Sequence, residues 1–197
     1  PLVYGTSGHT TLVANNGQPS LIVPGVGMLN DSGQFKQYTL ETWLRINSYT
    51  NGRKRIIGPI GSTDGIYVNG PFIQLKIGNN FASHFVGEWT RPMLIHLKIG
   101  KDTASLLING EEVISISYSQ ESIVLPSQLD ANGKDQDWIG FYAYDDVSPI
   151  DIDCVGIYPY LVASAVAGSQ EARYCAEPSL LAHKHQFFAL AYHQGFL

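Results

Sequence analysis

The sequence places two aspartates, Asp151 and Asp153, at the spacing that best suits acid–base chemistry. Residues two apart point to the same face of a β-strand, so both carboxylates could flank one glycosidic bond, as the paired acids of a glycosidase do. No glutamate follows them in the same run, and Glu41 has no acidic partner in its own segment. Because acid–base hydrolysis needs two cooperating groups, we interpret Asp151 and Asp153 as solvent-facing acids and Glu41 as a buried, hydrogen-bonded carboxylate. We assign no catalytic residue.

A short segment rich in oxygen ligands is the candidate metal site. Ca²⁺ binds six to eight carboxylate, amide and carbonyl oxygens. Four suitable side chains lie close together in the sequence: Asp130, Asn132, Asp135 and Asp137. The spacing departs from that of an EF-hand, because the glycine is misplaced and the closing glutamate is missing. Calcium is therefore the one candidate cofactor, but the favoured interpretation is a turn rich in Asp and Asn without metal.

Four aromatic residues are the candidate ligand-binding residues. They are Trp89, Tyr67, Tyr142 and Tyr144. Flat apolar rings can stack against a sugar, and nearby Asn and Asp side chains can bind its hydroxyl groups. The alternative interpretation is that these rings pack in the core or at its rim.

The composition fits a folded domain with an uncharged polar surface. The chain has 197 residues, 44% hydrophobic and 15% charged, which allows one domain or one domain with an appendage. The net charge is −5, and the basic cluster at residues 53–55 is interpreted as a polar loop entering a strand. We therefore expect no nucleic-acid partner. We also expect no membrane insertion, because no apolar run reaches transmembrane length.

Apolar and polar residues alternate over the first 160 residues, which predicts β-strands. One predicted strand places Tyr38, Leu40, Thr42, Leu44 and Ile46 on one face and Thr39, Glu41, Trp43, Arg45 and Asn47 on the other. Further strands are predicted at residues 72–77, 93–99, 104–108, 111–116, 139–144 and 150–158. Asn109-Gly110 accepts the positive φ values of a type I′ hairpin turn. Many short strands with Gly and Asn turns predict an all-β fold, a two-sheet antiparallel sandwich.

The composition changes after Tyr160. Residues 161–197 contain eight alanines and residues 1–160 contain five, so the C-terminal extension is predicted to be partly helical. Its phenylalanines and leucines would be costly to leave in water, and we expect it to dock on the sandwich or on a partner. Cys154 lies in an apolar run, which favours a buried free thiol, and a disulfide with Cys175 is the alternative.

Three segments in order resemble the LamG-type branch of the concanavalin A-like lectin and glucanase family. Residues 38–44 are similar to the family's Phe-Thr-Leu-Glu-x-Trp strand. Residues 106–113 are similar to its Leu-x-Val-Asn-Gly-x-x-Val hairpin, and residues 152–158 to its closing Ile-Asp-x-x-x-Ile-Tyr strand. The resemblance implies a jelly-roll sandwich over residues 1–160, with residues 161–197 as an extension.

Within that family, residues 63–70 and 157–160 look most like LamG-like domains of tailed-bacteriophage virion proteins. The resemblance implies a non-enzymatic structural or adhesive component of the virion. The first residues contain neither the basic nor the apolar region of a signal peptide, so we expect synthesis in the host cytoplasm without one. Its expected partners are other virion proteins, further copies of itself and a cell-surface glycan. The alternative is an extracellular carbohydrate-binding module, calcium-dependent if the acidic turn holds metal, and a glycoside hydrolase is the least favoured function.

Overall fold

A computed structural model of the chain describes residues 2–4, 10–24, 37–49, 52–60, 62–119, 128–129, 135–136, 138–147, 150–158 and 161. Over these residues the chain forms β-strands joined by turns and loops, and none of the described residues is helical. The strands are β1 (Leu2–Tyr4), β2 (Thr10–Leu12), β3 (Leu21–Pro24), β4 (Tyr38–Ile46), β5 (Lys54–Pro59), β6 (Gly65–Asn69), β7 (Phe72–Ile77), β8 (Asn80–Phe85), β9 (Met93–Ile99), β10 (Thr103–Ile108), β11 (Glu111–Ser117), β12 (Gln128–Leu129), β13 (Asp135–Gln136), β14 (Trp138–Phe141) and β15 (Ile150–Tyr158). The predicted helical extension lies outside the described residues, apart from Leu161.

The strands form two main antiparallel sheets, as the sequence predicted. The seven-stranded sheet has the order β1-β15-β4-β9-β10-β11, with β2 also paired to β15. The six-stranded sheet has the order β3-β14-β5-β6-β7-β8, and β12 and β13 form a separate two-stranded ladder. Within the described part of the chain, no helix could span a membrane.

The core lies between the two sheets and follows the predicted alternation. In β4, the side chains of Leu40, Leu44 and Ile46 are fully buried. Leu40 is paired with Leu97 of β9 and with Ile157 of β15, and residues directly opposite in an antiparallel pair share a face. Burial of each such side chain contributes about 1.5–3 kcal/mol, so the apolar layers hold the two sheets together.

The predicted hairpin joins β10 to β11. Asn109 and Gly110 have φ values of 52° and 88°, which confirms the predicted type I′ turn. The side-chain oxygen of Asn109 accepts a hydrogen bond of 2.9 Å from the backbone N–H of Leu94. The backbone N–H of Asn109 donates to the carbonyl oxygen of Leu94 at 2.8 Å, so the turn is fixed to β9 as well.

A β-bulge in β15 changes which residues face the core. The register against β4 shifts around Cys154, the extra residue, which has a φ of 50°. Strict alternation from Ile152 would turn Tyr158 towards the core. The bulge instead leaves Ile157 in the core and moves Tyr158 to the outer face of the seven-stranded sheet.

Two local predictions were wrong. Cys154 is disulfide-bonded and not a free thiol. As the bulge residue it lies on the outer face beside Trp43 and Leu94, so it is not a core residue; Cys175 lies outside the described residues. The strand predicted at residues 139–144 ends earlier, because the chain turns through a pair of backbone hydrogen bonds between Tyr144 and Val147.

Candidate functional site

The outer face of the six-stranded sheet carries a row of polar side chains from four neighbouring strands. Arg55 of β5 is opposite Tyr67 of β6, Tyr67 is opposite Gln74 of β7, and Gln74 is opposite Ser83 of β8. Opposite residues share a face, so the four side chains cross the sheet together. We call the cluster centred on this row the cationic–aromatic patch, and it comprises Arg53, Lys54, Arg55, Tyr67, Gln74, Phe81, Tyr142 and Tyr144.

Arg55 organises one side of the patch. Its guanidinium donates hydrogen bonds to the carbonyl oxygens of Pro59 and Ser62, which fixes the loop between β5 and β6. It also donates to the hydroxyl oxygen of Tyr142 and lies 4.4 Å from the centre of that ring. These contacts use most of the donors of Arg55, so this side chain positions its neighbours.

A glycine allows the ring of Tyr142 to lie flat against the sheet. A Cβ atom added at Gly140 would be 2.8 Å from atoms of the Tyr142 ring, closer than real Cβ contacts allow. Tyr142 is consequently 4% exposed, although it lies on the outer face. Its role is to support Arg55, and little of its ring is open to a ligand.

Arg53 is the exposed cation of the patch. Its guanidinium carbon lies 4.4 Å from the centre of the Tyr67 ring and 4.4 Å from the centre of the Phe81 ring. Contacts of this kind are cation–π interactions. Phe81 itself is 47% exposed. Two rings from β6 and β8 therefore hold one guanidinium at the surface.

Tyr144 lies at the end of the patch near β5. The ammonium of Lys54 is 5.2 Å from the centre of the Tyr144 ring and 3.4 Å from a carboxylate oxygen of Asp146. Burial raises the pKa of the Tyr144 hydroxyl, and it also raises the pKa of Tyr67, although Arg55 acts in the opposite direction on both. Both hydroxyls therefore remain protonated and can donate hydrogen bonds; that of Tyr67 donates to the carbonyl oxygen of Thr63.

Two polar side chains are buried here: Gln74, which belongs to the patch, and Asp64, which lies in the loop before β6. The carboxylate of Asp64 accepts a hydrogen bond of 2.8 Å from the backbone N–H of Gly78 and lies 3.5 Å from the ammonium of Lys76. Gln74 is 5% exposed, and its amide N–H donates to the hydroxyl oxygen of Ser83 at 3.2 Å. Among the described residues, the amide oxygen of Gln74 has no hydrogen-bond partner.

The structure brings three of the four predicted aromatic residues together and separates the fourth. Tyr67 lies opposite Arg55 and Tyr142 lies against its guanidinium, whereas Tyr144 lies beside Lys54 and packs against the core. Trp89 is fully buried, and its indole N–H donates a hydrogen bond of 2.9 Å to the carbonyl oxygen of Gly70. The ring of Trp89 therefore packs in the core and offers no face to a ligand.

Sequence reasoning missed five residues of the patch: Arg53, Lys54, Arg55, Gln74 and Phe81. The basic cluster at residues 53–55 was the available signal, since it is the one basic cluster of an acidic chain. It was interpreted only as a loop entering a strand, and β5 does begin at Lys54. The contacts that give Arg53 its significance come from β6 and β8, which the local sequence does not reveal.

The predicted metal site falls largely outside the described residues. Asp135 begins β13, whereas Asp130, Asn132 and Asp137 lie outside the described part of the chain. Among the residues that are described, no three His, Cys, Asp or Glu side chains form a group able to hold a metal ion. Calcium binding by this segment stays a prediction.

The expectation that Asp151 and Asp153 face solvent was wrong, because they are 2% and 4% exposed. Asp151 accepts hydrogen bonds from the Thr11 hydroxyl (2.6 Å), the Arg45 guanidinium (2.6 and 2.9 Å) and the Asn47 amide (2.7 Å). Burial acts to raise the pKa of Asp151, but these hydrogen bonds and the charge of Arg45 outweigh it and lower that pKa. Asp151 is therefore a fixed anion in a structural ion pair.

Glu41 is confirmed as a buried, hydrogen-bonded carboxylate. It has no exposed surface, and its Oε2 accepts hydrogen bonds from His96 Nε2 at 2.8 Å and from the Tyr158 hydroxyl at 3.0 Å. His96 is equally buried. The three side chains come from β4, β9 and β15, so the network ties together the centre of the seven-stranded sheet.

No protein-family model matches the chain, and no curated protein matches it. The fold is similar to solved binding domains of toxins. The receptor-binding domain of botulinum neurotoxin D has a TM-score of 0.58 and 15% identity, covering 84% of this chain and 46% of that one. The binding domain of botulinum neurotoxin DC in complex with SialylT has a TM-score of 0.57 and 14% identity, covering 83% and 42%. The binding domain of Paraclostridial Mosquitocidal Protein 1 has a TM-score of 0.51 and 12% identity, covering 84% and 46%.

Identities this low show a shared fold and nothing further. The chain spans less than half the length of each of these solved structures. Their likeness agrees with the two-sheet antiparallel sandwich that the strand order describes.

Proposed function

We propose that this chain is a non-enzymatic binding module that attaches to carbohydrate through the cationic–aromatic patch. The observation that carries the proposal is the exposed guanidinium of Arg53, held between the rings of Tyr67 and Phe81. Carbohydrate sites combine flat apolar surfaces with a few oriented polar groups, and the patch contains both. The two rings that hold Arg53 are also built on strands β6 and β8, which position side chains more rigidly than a loop would.

Structural neighbours support the class of ligand. One neighbour was solved in complex with SialylT, and another belongs to botulinum neurotoxin type C, whose cell entry depends on interaction with two ganglioside molecules. Those ligands belong to whole binding domains, of which the matched part is less than half. They support carbohydrate as the ligand and do not locate its site on this chain.

The buried acids argue against a glycoside hydrolase. A general acid must reach the leaving oxygen of the substrate, yet Glu41, Asp151 and Asp153 are all at least 95% buried. Asp151 is occupied by Arg45, Thr11 and Asn47. We therefore infer that the acids of the seven-stranded sheet stabilise the fold and that the module works without catalysis.

Binding of the purified chain to a glycan array tests this function. Wild type should be retained on at least one glycan, and Tyr67→Ala and Phe81→Ala should each weaken binding about tenfold, because each removes one aromatic face. Phe85→Ala is the matched control, since Phe85 is an exposed phenylalanine of the same strand that contacts Phe72 and, among the described residues, no cation. The proposal would be wrong if the wild-type chain bound no glycan. It would also be wrong if Phe85→Ala bound as weakly as Phe81→Ala.

We also propose that the module works within a bacteriophage particle, as a structural or adhesive component that assembles with itself or with other virion proteins. What supports this context is the resemblance of residues 63–70 and 157–160 to virion proteins. Light scattering should give a defined oligomer for residues 1–197 and a monomer for a chain ending at Tyr160. Two monomers would contradict assembly through the extension.

Repeating the glycan array with EDTA tests the proposed calcium dependence, since chelation should release the glycan.

A further inference from the structure

We propose that the ligand of the cationic–aromatic patch is an anionic sugar, whose carboxylate or sulfate group binds the guanidinium of Arg53. The inference rests on the proposed glycan-binding function and names the class of glycan. Three observations carry it: the charges of the patch, the way in which Arg53 is held, and the unpartnered amide oxygen of Gln74.

The cations around the patch are not equivalent. Lys54 lies 3.4 Å from the carboxylate of Asp146, and Lys76 lies 3.5 Å from that of Asp64. Arg55 donates to backbone carbonyl oxygens and to Tyr142. Arg53 is exposed and forms no ion pair with any carboxylate in the described part of the chain. It is therefore the cation that remains available for an anion.

The two rings hold Arg53 in a conformation suited to anion binding. The guanidinium lies over Tyr67 and Phe81 at equal distances of 4.4 Å. A planar guanidinium presents a fork of N–H donors that matches two oxygens of a carboxylate or sulfate. Because the rings restrict this long side chain before the ligand arrives, less conformational entropy is lost on binding. An ammonium group could not form the same paired hydrogen bonds.

Gln74 distinguishes a sugar from a simple anion. It lies on the same face, opposite Tyr67 and Ser83, and is 95% removed from solvent. Its amide N–H donates to the hydroxyl oxygen of Ser83, but its amide oxygen has no partner in the part of the chain that the structure describes. That oxygen is buried, and a buried acceptor without a partner is unfavourable by about 1–3 kcal/mol. A ligand gains that energy only when the Gln74 side chain turns to present the oxygen at the surface. A sugar hydroxyl can then donate to it, whereas an inorganic sulfate ion has no such donor.

The experiment compares glycans in matched pairs that differ only in one carboxylate or one sulfate group. Wild type should bind the anionic member at least about tenfold more tightly than the neutral member. Arg53→Gln should remove that preference, and Arg53→Lys should restore only part of it, because lysine keeps the charge without the fork. Arg91→Gln is the matched control, since Arg91 is a highly exposed arginine paired with Glu88 outside the patch. Gln74→Leu should weaken binding of the anionic glycan while leaving the preference for anionic over neutral glycans unchanged.

The outcomes separate the inference from the function on which it rests. Equal binding of neutral and anionic glycans, reduced alike by Tyr67→Ala, would overturn the anionic ligand and leave glycan binding intact. If Arg91→Gln also lost the preference for anionic glycans, that preference would depend on the net charge of the chain, and the role of Arg53 would be overturned. Competition by inorganic sulfate as effective as by the sulfated glycan would overturn the role of Gln74. Failure to bind any glycan would overturn the proposed function itself.

Discussion

The outer faces of the two sheets both carry ionisable and aromatic side chains. On the seven-stranded sheet these side chains are buried with partners, whereas on the six-stranded sheet several of them are exposed. On the seven-stranded sheet, Glu41 and His96 have no exposed surface and bind each other. On the six-stranded sheet, Arg53 is exposed and Phe81 is 47% exposed. A buried charge must be satisfied by neighbouring groups, because leaving it unpaired costs far more than an exposed charge does. An ionisable side chain that is buried with partners in its own sheet therefore stabilises the fold. An exposed cation that has no carboxylate partner is instead available to a ligand.

The same distinction explains the two arginine sites. Arg45 is bound through two nitrogens to Asp151, which is itself nearly inaccessible, and this pair connects β4 to β15. Arg53 contacts only the faces of rings among its described neighbours. Cation–π contacts at exposed sites contribute about 0.5–1 kcal/mol. Substitutions on the two faces should therefore separate stability from binding.

The largest effect is expected from Glu41→Ala on the seven-stranded sheet. Removing one partner of a buried pair leaves His96 and the Tyr158 hydroxyl without their acceptor, and the free energy of unfolding should fall by about 3 kcal/mol or more. Chemical denaturation followed by tryptophan fluorescence measures this change. Glu111→Ala is the matched control because Glu111 is an exposed glutamate at the start of β11, and its change should stay within about 0.5 kcal/mol. Equal stabilities for the two variants would mean that the network does not stabilise the sheet.

An intermediate effect is expected from Asp151→Asn, and it should depend on pH. The pKa of Asp151 is lower in the folded protein than its usual value, so the charged form stabilises the fold above the unfolded-state pKa and this stability is lost as pH falls through the folded-state pKa. At pH 7 the variant should be less stable by about 2 kcal/mol, because charged hydrogen bonds are lost. The difference should shrink below about pH 4, the ordinary range of a carboxyl group.

Denaturation curves at neutral and acidic pH measure this difference between wild type and Asp151→Asn. Asp102→Asn serves as the control, because Asp102 is exposed in the turn between β9 and β10. Its difference from wild type should be small at every pH. If the gap between wild type and Asp151→Asn were independent of pH, the ionised form of Asp151 would not be the stabilising species.

The comparison also shows which parts of the molecule the local sequence can predict. The Asn109-Gly110 turn and the inner face of β4 were predicted because their signals lie within a few residues. The burial of Asp151 was not, because its partner Arg45 is 106 residues away. Alternation also fails at the β15 bulge, since nothing in the residue types around Cys154 marks an inserted residue. Long-range pairing and register decide both cases.

The candidate site shows the same limit. Tyr67 and Trp89 are both aromatic residues near turns, and residue type favoured neither as a core residue. Trp89 packs in the core, where the carbonyl oxygen of Gly70 accepts a hydrogen bond from its indole N–H, whereas Tyr67 is on the outer face by its register opposite Arg55. Arg53 could not be identified from its local sequence, because the two rings that contact it belong to β6 and β8. Strand order, which the local pattern does not contain, therefore creates the patch.

The smallest effect on stability is expected from Arg53→Gln. The side chain is exposed and has no carboxylate partner among the described residues, so the free energy of unfolding should change by no more than about 1 kcal/mol, the upper range for exposed cation–π contacts. Thermal or chemical denaturation of the variant beside Arg91→Gln measures this change. A loss of 2 kcal/mol or more, on the scale of a buried hydrogen-bond network, would make Arg53 a structural residue like Arg45. If Arg53→Gln is stable but no longer binds glycan, the outer face of the six-stranded sheet serves recognition, and the buried network of the seven-stranded sheet serves stability.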